Sequence, residues 1–160
     1  MRKLTIIIFF LGITSICAQD INSYIELLRS DVKTGKKEII TEIMEFTEEE
    51  ASIFWNLYRE YEYELDKLGD ERVDYIKDFA ENYFSMTDEK ADKIMERAFN
   101  YQEEKLDLKK DFYKKLKKKL NASKAAMYIQ LEHLLELLID LQINSELPLL
   151  HEANDKTESE

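Results

Sequence analysis

Apolar side chains recur every three or four residues along most of the chain, which is the pattern of amphipathic helices. Four such stretches can be separated, and they cover residues 21–44, 48–84, 88–120 and 123–143. The rhythm of the second stretch skips at Gly69 and Asp70, where we expect a kink or short break in the helix and not a domain boundary. The fourth stretch is apolar around much of its circumference, so we expect it to be the most buried.

Few residues in the chain disrupt helices. There are only three Gly and one Pro among 160 residues, and these are the residues that a helix interior tolerates least. We therefore predict an all-α fold, a four-helix arrangement over residues 19–145 in which the long second and third helices form an antiparallel hairpin. Residues 151–160 are polar and acidic, and we expect residues 146–160 to be a disordered acidic tail.

The first 18 residues have the pattern of a signal peptide. Arg2 and Lys3 precede an apolar run at 5–16, and Cys17 and Ala18 offer a small-residue cleavage site. That run is shorter than the about 20 residues needed to span a membrane, so an uncleaved anchor is disfavoured. We expect cleavage after Ala18 and a periplasmic protein. A lipoprotein modified at Cys17 fits less well, because the residues before the cysteine depart from the lipoprotein pattern.

The charge and the residue types limit the classes of function. The chain has 34 acidic and 23 basic residues, a formal net charge of −11, whereas nucleic-acid-binding domains present basic surfaces. We therefore expect no nucleic-acid partner. After loss of Cys17 the chain has no cysteine nucleophile, and it lacks a glycine-rich phosphate loop and a serine in a tight glycine-flanked turn. We predict that it is not an enzyme and uses no cofactor.

A short motif recurs at the start of three predicted helices. Each copy has an apolar residue, a capping residue, three further residues and Ala, in the segments FTEEEA, MTDEKA and LNASKA. Thr47 and Glu50 can form a capping box, in which each side chain accepts a hydrogen bond from the other residue's amide. Thr87 is expected to cap without that box, because Lys90 cannot accept a hydrogen bond. Each copy alone is explained as a well-made helix start.

In a small exported helical protein, this motif resembles the Leu-Thr-x-x-Gln signature of the Spy/CpxP family of periplasmic proteins, which opens the helices of a bent hairpin. Thr47 and Thr87 stand at the threonine position. The leucine position is held by Phe46 and Met86, and the glutamine position by Glu50 and Lys90.

The resemblance implies a protein-binding module, either chaperone-like or an accessory of the envelope stress response. Unfolded or membrane-associated proteins would be its partners, and a homodimer would be compatible with it. Two alternatives remain: a regulatory partner of a membrane sensor or anti-sigma protein, and a metal-responsive sensor.

Charged and aromatic residues provide the candidate binding positions. The second helix is strongly acidic and the third ends in a lysine-rich block. The simpler interpretation is helix-dipole complementation with salt bridges to the acidic helix, and the alternative is a basic surface for proteins or anionic membrane headgroups. Trp55 and Tyr63 fall off the main apolar stripe, so they either pack against another helix or form an exposed patch. The candidate protein-binding residues are Trp55, Tyr63, Lys109, Lys110, Lys114, Lys117 and Lys118.

One group of side chains on the fourth predicted helix has the chemistry of a metal site. His133, Glu136 and Asp140 share a helix face, and one His with two carboxylates could hold zinc or nickel. A polar stripe on an otherwise apolar helix is the simpler explanation, and ligands from a second helix are not evident. We therefore predict no metal there and keep these residues as weak candidates.

Overall fold

The computed structural model describes residues 35–150. These residues form a helix at 35–44 (α1), α2 at Glu48–Asn82, a 3-10 turn at Tyr83–Ser85, α3 at Asp88–Lys119 and α4 at Ala122–Glu146. No strand occurs among them, so the all-α prediction is confirmed. The predicted leader, most of the predicted first helix and residues 151–160 of the predicted tail lie outside the described residues. The chain divides into two compact units, Met1–Glu42 and Ile43–Glu160, and α2, α3 and α4 belong to the second.

The second unit is an antiparallel hairpin to which a third long helix is added. Residues of α2 and α3 pair in opposite chain directions, since Glu60 contacts Lys115 at 3.3 Å whereas Asp78, later in α2, contacts Arg97, earlier in α3. The predicted hairpin is therefore present. α4 runs antiparallel to α3 and reaches α2 through side chains, so that the three helices alternate in direction. None of the helices within residues 35–150 is long and apolar enough to cross a membrane.

A cluster of aromatic rings forms the centre of this unit. Its members are buried and come from all three helices, namely Phe54, Tyr58 and Tyr61 from α2, Phe112 from α3 and Tyr128 from α4. Tyr61 stacks on Phe112 with ring centroids 4.3 Å apart, and Tyr128 meets Phe112 edge-on at 5.3 Å. Offset and edge-on ring contacts add about 0.5–1.5 kcal/mol each beyond the burial of apolar area. The abundant aromatic residues therefore join the helices.

The recurring motif supplies the first turn of each long helix. Thr47 accepts a hydrogen bond from the Glu50 amide at 3.2 Å, and Glu50 accepts one from the Thr47 amide at 3.0 Å, which confirms the capping box. Thr87 accepts a hydrogen bond from the Lys90 amide at 3.3 Å. The Lys90 ammonium donates a hydrogen bond to the Asn82 side chain, and no capping box forms here. Asn121 caps α4 in the same way as Thr87 caps α3.

The apolar residue and the Ala of each motif also have a local role. The Ala amide donates the first backbone hydrogen bond of the helix to the carbonyl of the capping residue, in all three copies. Phe46 and Met86 precede the caps and are half-buried, and the Phe46 ring lies 4.7 Å from that of Phe54. Phe54 is the seventh residue of α2, so this ring contact attaches the residue before the cap to the aromatic cluster. Helix initiation thus accounts for the capping residue and the Ala in all three copies.

Thr47→Ala should lower the free energy of unfolding by about 1 kcal/mol, because the capping hydrogen bond is lost and the box is opened. Urea unfolding followed by circular dichroism measures this. Thr41→Ala is the matched control: its hydroxyl donates to a carbonyl within α1 at 2.8 Å, so the change should alter stability far less. Equal unfolding midpoints for the two variants would contradict the capping role.

The structure bears on two expectations about the continuity of α2. The helical conformation of α2 continues through Gly69 and Asp70, so the short break does not occur. One interior glycine costs only about 1 kcal/mol, and an ion pair between Arg72 and Asp140 at 2.6 Å holds the next turn against α4. At its end, α2 stops at Asn82, two residues before the predicted limit, and Phe84 is 98% exposed.

The prediction that the fourth helix is the most buried is also wrong. Leu134, Leu138 and Leu141 are 60%, 65% and 69% exposed. α4 contacts its neighbours with one side only, through residues such as Tyr128 and Leu131, which are buried. The apolar residues of α4 therefore form two separate sides of the helix. One side packs against the neighbouring helices, and the other has no neighbour within residues 35–150.

Candidate protein-binding surface

The outer side of α3 carries large apolar residues that the core does not use. Met95, Phe99 and Leu106 are 46%, 65% and 51% exposed. Spacings of four and seven residues place them on one side of the helix. Lys110 and Lys117 follow at the same spacings and are also exposed. We call these five residues the α3 stripe.

The α3 stripe exists because α3 has more apolar positions than its core seam requires. The seam takes the buried residues Tyr101, Lys105, Phe112 and Leu116. The stripe lies on another side of the helix. The exposed carboxylates of Asp92 and Glu103, seven residues before and four residues after Phe99, border its apolar part. The stripe is thus apolar towards the hairpin turn and basic towards the end of α3, where the last turn holds Lys117, Lys118 and Lys119. Cations at that end also complement the helix dipole.

The predicted basic surface divides into inward and outward lysines. Lys109 is only 15% exposed and contacts Glu136 of α4, so its expected place on a binding surface is wrong. Lys115 contacts Glu60 of α2, as the salt-bridge interpretation predicted. The other candidates point to solvent. Lys110 and Lys114 make exposed ion pairs with acidic residues three positions earlier, at 2.8 Å each, and Lys117 and Lys118 form no ion pair within the described part of the chain.

The two aromatic candidates have different surroundings. Trp55 is half-buried and lies edge-on to Phe54 and Tyr58, with ring centroids 5.0 and 5.4 Å away, so it extends the aromatic cluster and is not part of an open patch. Tyr63 is 62% exposed, and the Lys67 ammonium lies 4.2 Å from its ring centroid. Tyr63 borders a shallow cleft of about 330 Å³ between α2 and α3, away from the α3 stripe.

A carboxylate lies inside the aromatic cluster, and sequence patterning did not reveal it. Glu132 is fully buried. Tyr61 donates a hydrogen bond to it at 3.2 Å and Tyr128 donates one at 2.7 Å. Burial, and then the negative charge of Glu132, raise the pKa of both tyrosine hydroxyls above the ordinary value. The one available sequence signal is the spacing of Tyr128 and Glu132, four residues apart within an apolar stretch. The group joins α2 to α4 and is enclosed on all sides by side chains.

The three metal candidates do not form a ligand set. Glu136 contacts Lys105 at 3.4 Å and also contacts Lys109, and Asp140 is paired with Arg72. His133 is exposed. Both carboxylates thus serve as anions of interhelical ion pairs, and residues 35–150 contain no group of three His, Cys, Asp or Glu side chains that could hold a metal ion.

Comparisons of the chain with protein-family models, with curated proteins and with solved structures gave no match. The resemblance to the Spy/CpxP family stays a prediction that depends on the helix-start motif, the leader pattern and the helix order.

Proposed function

We propose that the chain is an exported, chaperone-like protein-binding module that holds apolar segments of other proteins on the α3 stripe. The observation that supports this is the exposure of Met95, Phe99 and Leu106 on one side of one helix. Exposed large apolar side chains grouped on one side of a helix are typical of interaction sites on soluble proteins. The leader pattern of residues 1–18 supports export, and the absence of a catalytic motif in the sequence supports a binding role.

The two ends of the stripe suit two stages of binding. Lys117, with Lys118 and Lys119 in the same turn, provides positive charge on a molecule whose net charge is −11, and local charge of this kind speeds the encounter with acidic segments. Phe99 and its apolar neighbours then hold the segment by removing apolar area from water, at about 25 cal/mol per Å². Met95 is unbranched and can adapt to different side chains. Binding of many unfolded sequences requires such adaptable apolar contact and no deep pocket.

The test is suppression of the aggregation of a chemically denatured client in the absence of ATP. The natural chain should suppress aggregation at several-fold molar excess. Phe99→Glu places a charge where the client's apolar side chains would lie, so about tenfold more protein should be needed for the same effect. Tyr63→Glu is the control, because Tyr63 is equally exposed but lies on α2, outside the stripe. It should leave suppression unchanged.

Two results would contradict the proposal. The first is no suppression by the natural chain at several-fold excess. The second is an equal loss for Phe99→Glu and Tyr63→Glu, because the effect would then come from added charge in general and not from the α3 stripe.

A further inference from the structure

The cleft between α2 and α3 combines aromatic surface with carboxylates. Among residues 35–150, its lining comes from these two helices alone, namely Glu60, Tyr61, Tyr63 and Glu64 of α2 and Leu108, Asp111, Phe112 and Lys115 of α3. Its volume of about 330 Å³ is at the lower end of the about 300–1,000 Å³ that small-molecule sites occupy. The cleft is thus large enough for a ligand of about ten non-hydrogen atoms.

The inner part of the cleft is apolar. Tyr61 and Phe112 are buried, and their rings stack with centroids 4.3 Å apart. Leu108 is half-buried and lines the same side of the cleft as Phe112. The Tyr63 ring borders the cleft from α2 and is exposed. These side chains can bind the apolar part of a ligand by removing its surface from water.

The outer part of the cleft carries more negative than positive charge. The lining has three carboxylates and one ammonium, those of Glu60, Glu64, Asp111 and Lys115. Two further lysines in this part of α3, Lys105 and Lys109, are directed to Glu136 of α4 and do not reach the cleft. A cleft whose walls carry an excess of one sign of charge attracts a ligand of the opposite sign. The lining therefore favours a cation.

The lysines beside the cleft leave its carboxylates available for exchange. Each carboxylate has an exposed lysine partner, with Lys115 on Glu60 at 3.3 Å, Lys67 on Glu64 at 3.0 Å and Lys114 on Asp111 at 2.8 Å. Exposed ion pairs of this kind contribute little to stability, because the charges are hydrated and the long side chains lose entropy. A ligand cation can therefore replace a lysine while the fold stays intact.

One of these lysines shows the contact that a ligand would make. The Lys67 ammonium lies 4.2 Å from the centroid of the Tyr63 ring and donates a hydrogen bond to Glu64 at 3.0 Å. A cation above a ring is attracted by the negative face of the ring, and the carboxylate adds a charged acceptor. The same ring and carboxylate border the cleft, so this arrangement is open to a cation that arrives from solvent.

We propose that the cleft binds a small organic cation with an apolar body, such as an arylalkylammonium. Its ammonium takes the place of Lys67 between the Tyr63 ring and Glu64, and its body lies against Leu108. A metal ion fits less well, because residues 35–150 contain no group of three His, Cys, Asp or Glu side chains that could hold one. A neutral ligand would cover the carboxylates without pairing them. The activity is separate from the proposed binding of clients on the α3 stripe.

Titration of the full, isotope-labelled chain with phenethylammonium, followed through the backbone amide chemical shifts, tests the proposal. Two compounds with a similar body are the controls, the neutral 2-phenylethanol and the anionic 3-phenylpropionate. Phenethylammonium should give saturable shifts in residues 60–64 and 108–115, with a Kd of about 1 mM or below. The alcohol should bind at least about tenfold more weakly, and the anion should give no saturable shift, because the carboxylates repel it.

Matched substitutions separate the local carboxylates from the general charge of the molecule. Glu60→Gln combined with Glu64→Gln should raise the Kd for phenethylammonium at least about fivefold, because two charges beside the ammonium are lost. Glu81→Gln combined with Glu96→Gln makes the same change in net charge at exposed positions outside the cleft, and it should leave the Kd unchanged. Tyr63→Leu keeps apolar area but removes the ring, and it should raise the Kd at least about threefold.

Four results would overturn the proposal: no saturation by phenethylammonium, equal binding of the three compounds, shifts spread over the whole chain, or an equal loss for the two glutamine pairs. Phe99→Glu, which tests client binding on the α3 stripe, should leave the Kd unchanged. Either proposal can therefore fail without the other.

Discussion

Replacing Tyr61 and Tyr128 together by Phe should lower the free energy of unfolding by about 3–6 kcal/mol, the sum of two hydrogen bonds to a charged group. Both hydroxyls donate to Glu132, which is fully buried. The double variant keeps both rings and removes only the two oxygens, so the carboxylate remains inside the protein with fewer donors. A loss of this size is a large part of the about 5–15 kcal/mol by which domains are stable.

A third substitution separates the loss of hydrogen bonds from damage to packing. Glu132→Leu in the double variant should recover most of the stability, because an apolar side chain of similar size needs no donor. Urea unfolding of the natural, double and triple variants measures the three free energies, and Tyr63→Phe, at an exposed tyrosine, is the control. If the double variant is as stable as the natural chain, or if Glu132→Leu gives no recovery, the carboxylate does not depend on these hydroxyls.

The chain should unfold in alkaline solution, beginning near pH 10. Burial, followed by the negative charge of Glu132, raises the pKa of Tyr58, Tyr61 and Tyr128 above the ordinary value of 10.0. Their protonated forms are therefore favoured in the folded state. The resulting stability is fully present below pH 10 and decreases as the pH rises above it, because the unfolded chain releases these protons first.

The expected decrease is steep because three groups act together. Each contributes about 1.4 kcal/mol per pH unit, so stability should fall by about 4 kcal/mol per unit above pH 10. Tyrosinate absorbance and helical circular dichroism, recorded in one titration, should therefore show these tyrosines ionising together with the loss of helix. Tyr58→Phe should reduce the slope by about a third. Full tyrosine ionisation with the helices intact would show that the three hydroxyls are not held protonated by the fold.

The parts of the fold that were predictable from sequence depend on neighbouring residues in the chain. The capping box of Thr47 and Glu50 and the simpler cap at Thr87 follow from side chains three residues apart, which no distant contact alters. The hairpin follows equally from two long periodic stretches joined by a short connection. In both cases, residues close together in the chain were sufficient for the prediction.

The surfaces could not be predicted in the same way, because burial depends on which helices become neighbours. In the sequence, Lys109 is one of several lysines in a basic block. In the structure, Glu136 of α4 lies beside it and forms an ion pair with it. The sequence pattern predicts that Leu138 is a core residue. It is exposed, because the opposite side of α4 packs against α2 and α3. Glu132 interrupts an apolar run, and only the approach of Tyr61 from α2 explains it. Periodicity identifies the sides of a helix but does not say which of two apolar sides is covered.

The order of contacts along the chain has a consequence for how the molecule forms as it leaves a ribosome. Within the hairpin, the contacts of Asp78 with Arg97 and of Glu60 with Lys115 join residues 19 and 55 positions apart, whereas Tyr61 and Glu132 are separated by 71. The hairpin can close while the C-terminal segment is still in transit, with Arg72 and Tyr61 hydrated in an open groove. Arrival of α4 then supplies both of their acidic partners, Asp140 and Glu132, so the polar core is completed only after the hairpin has closed.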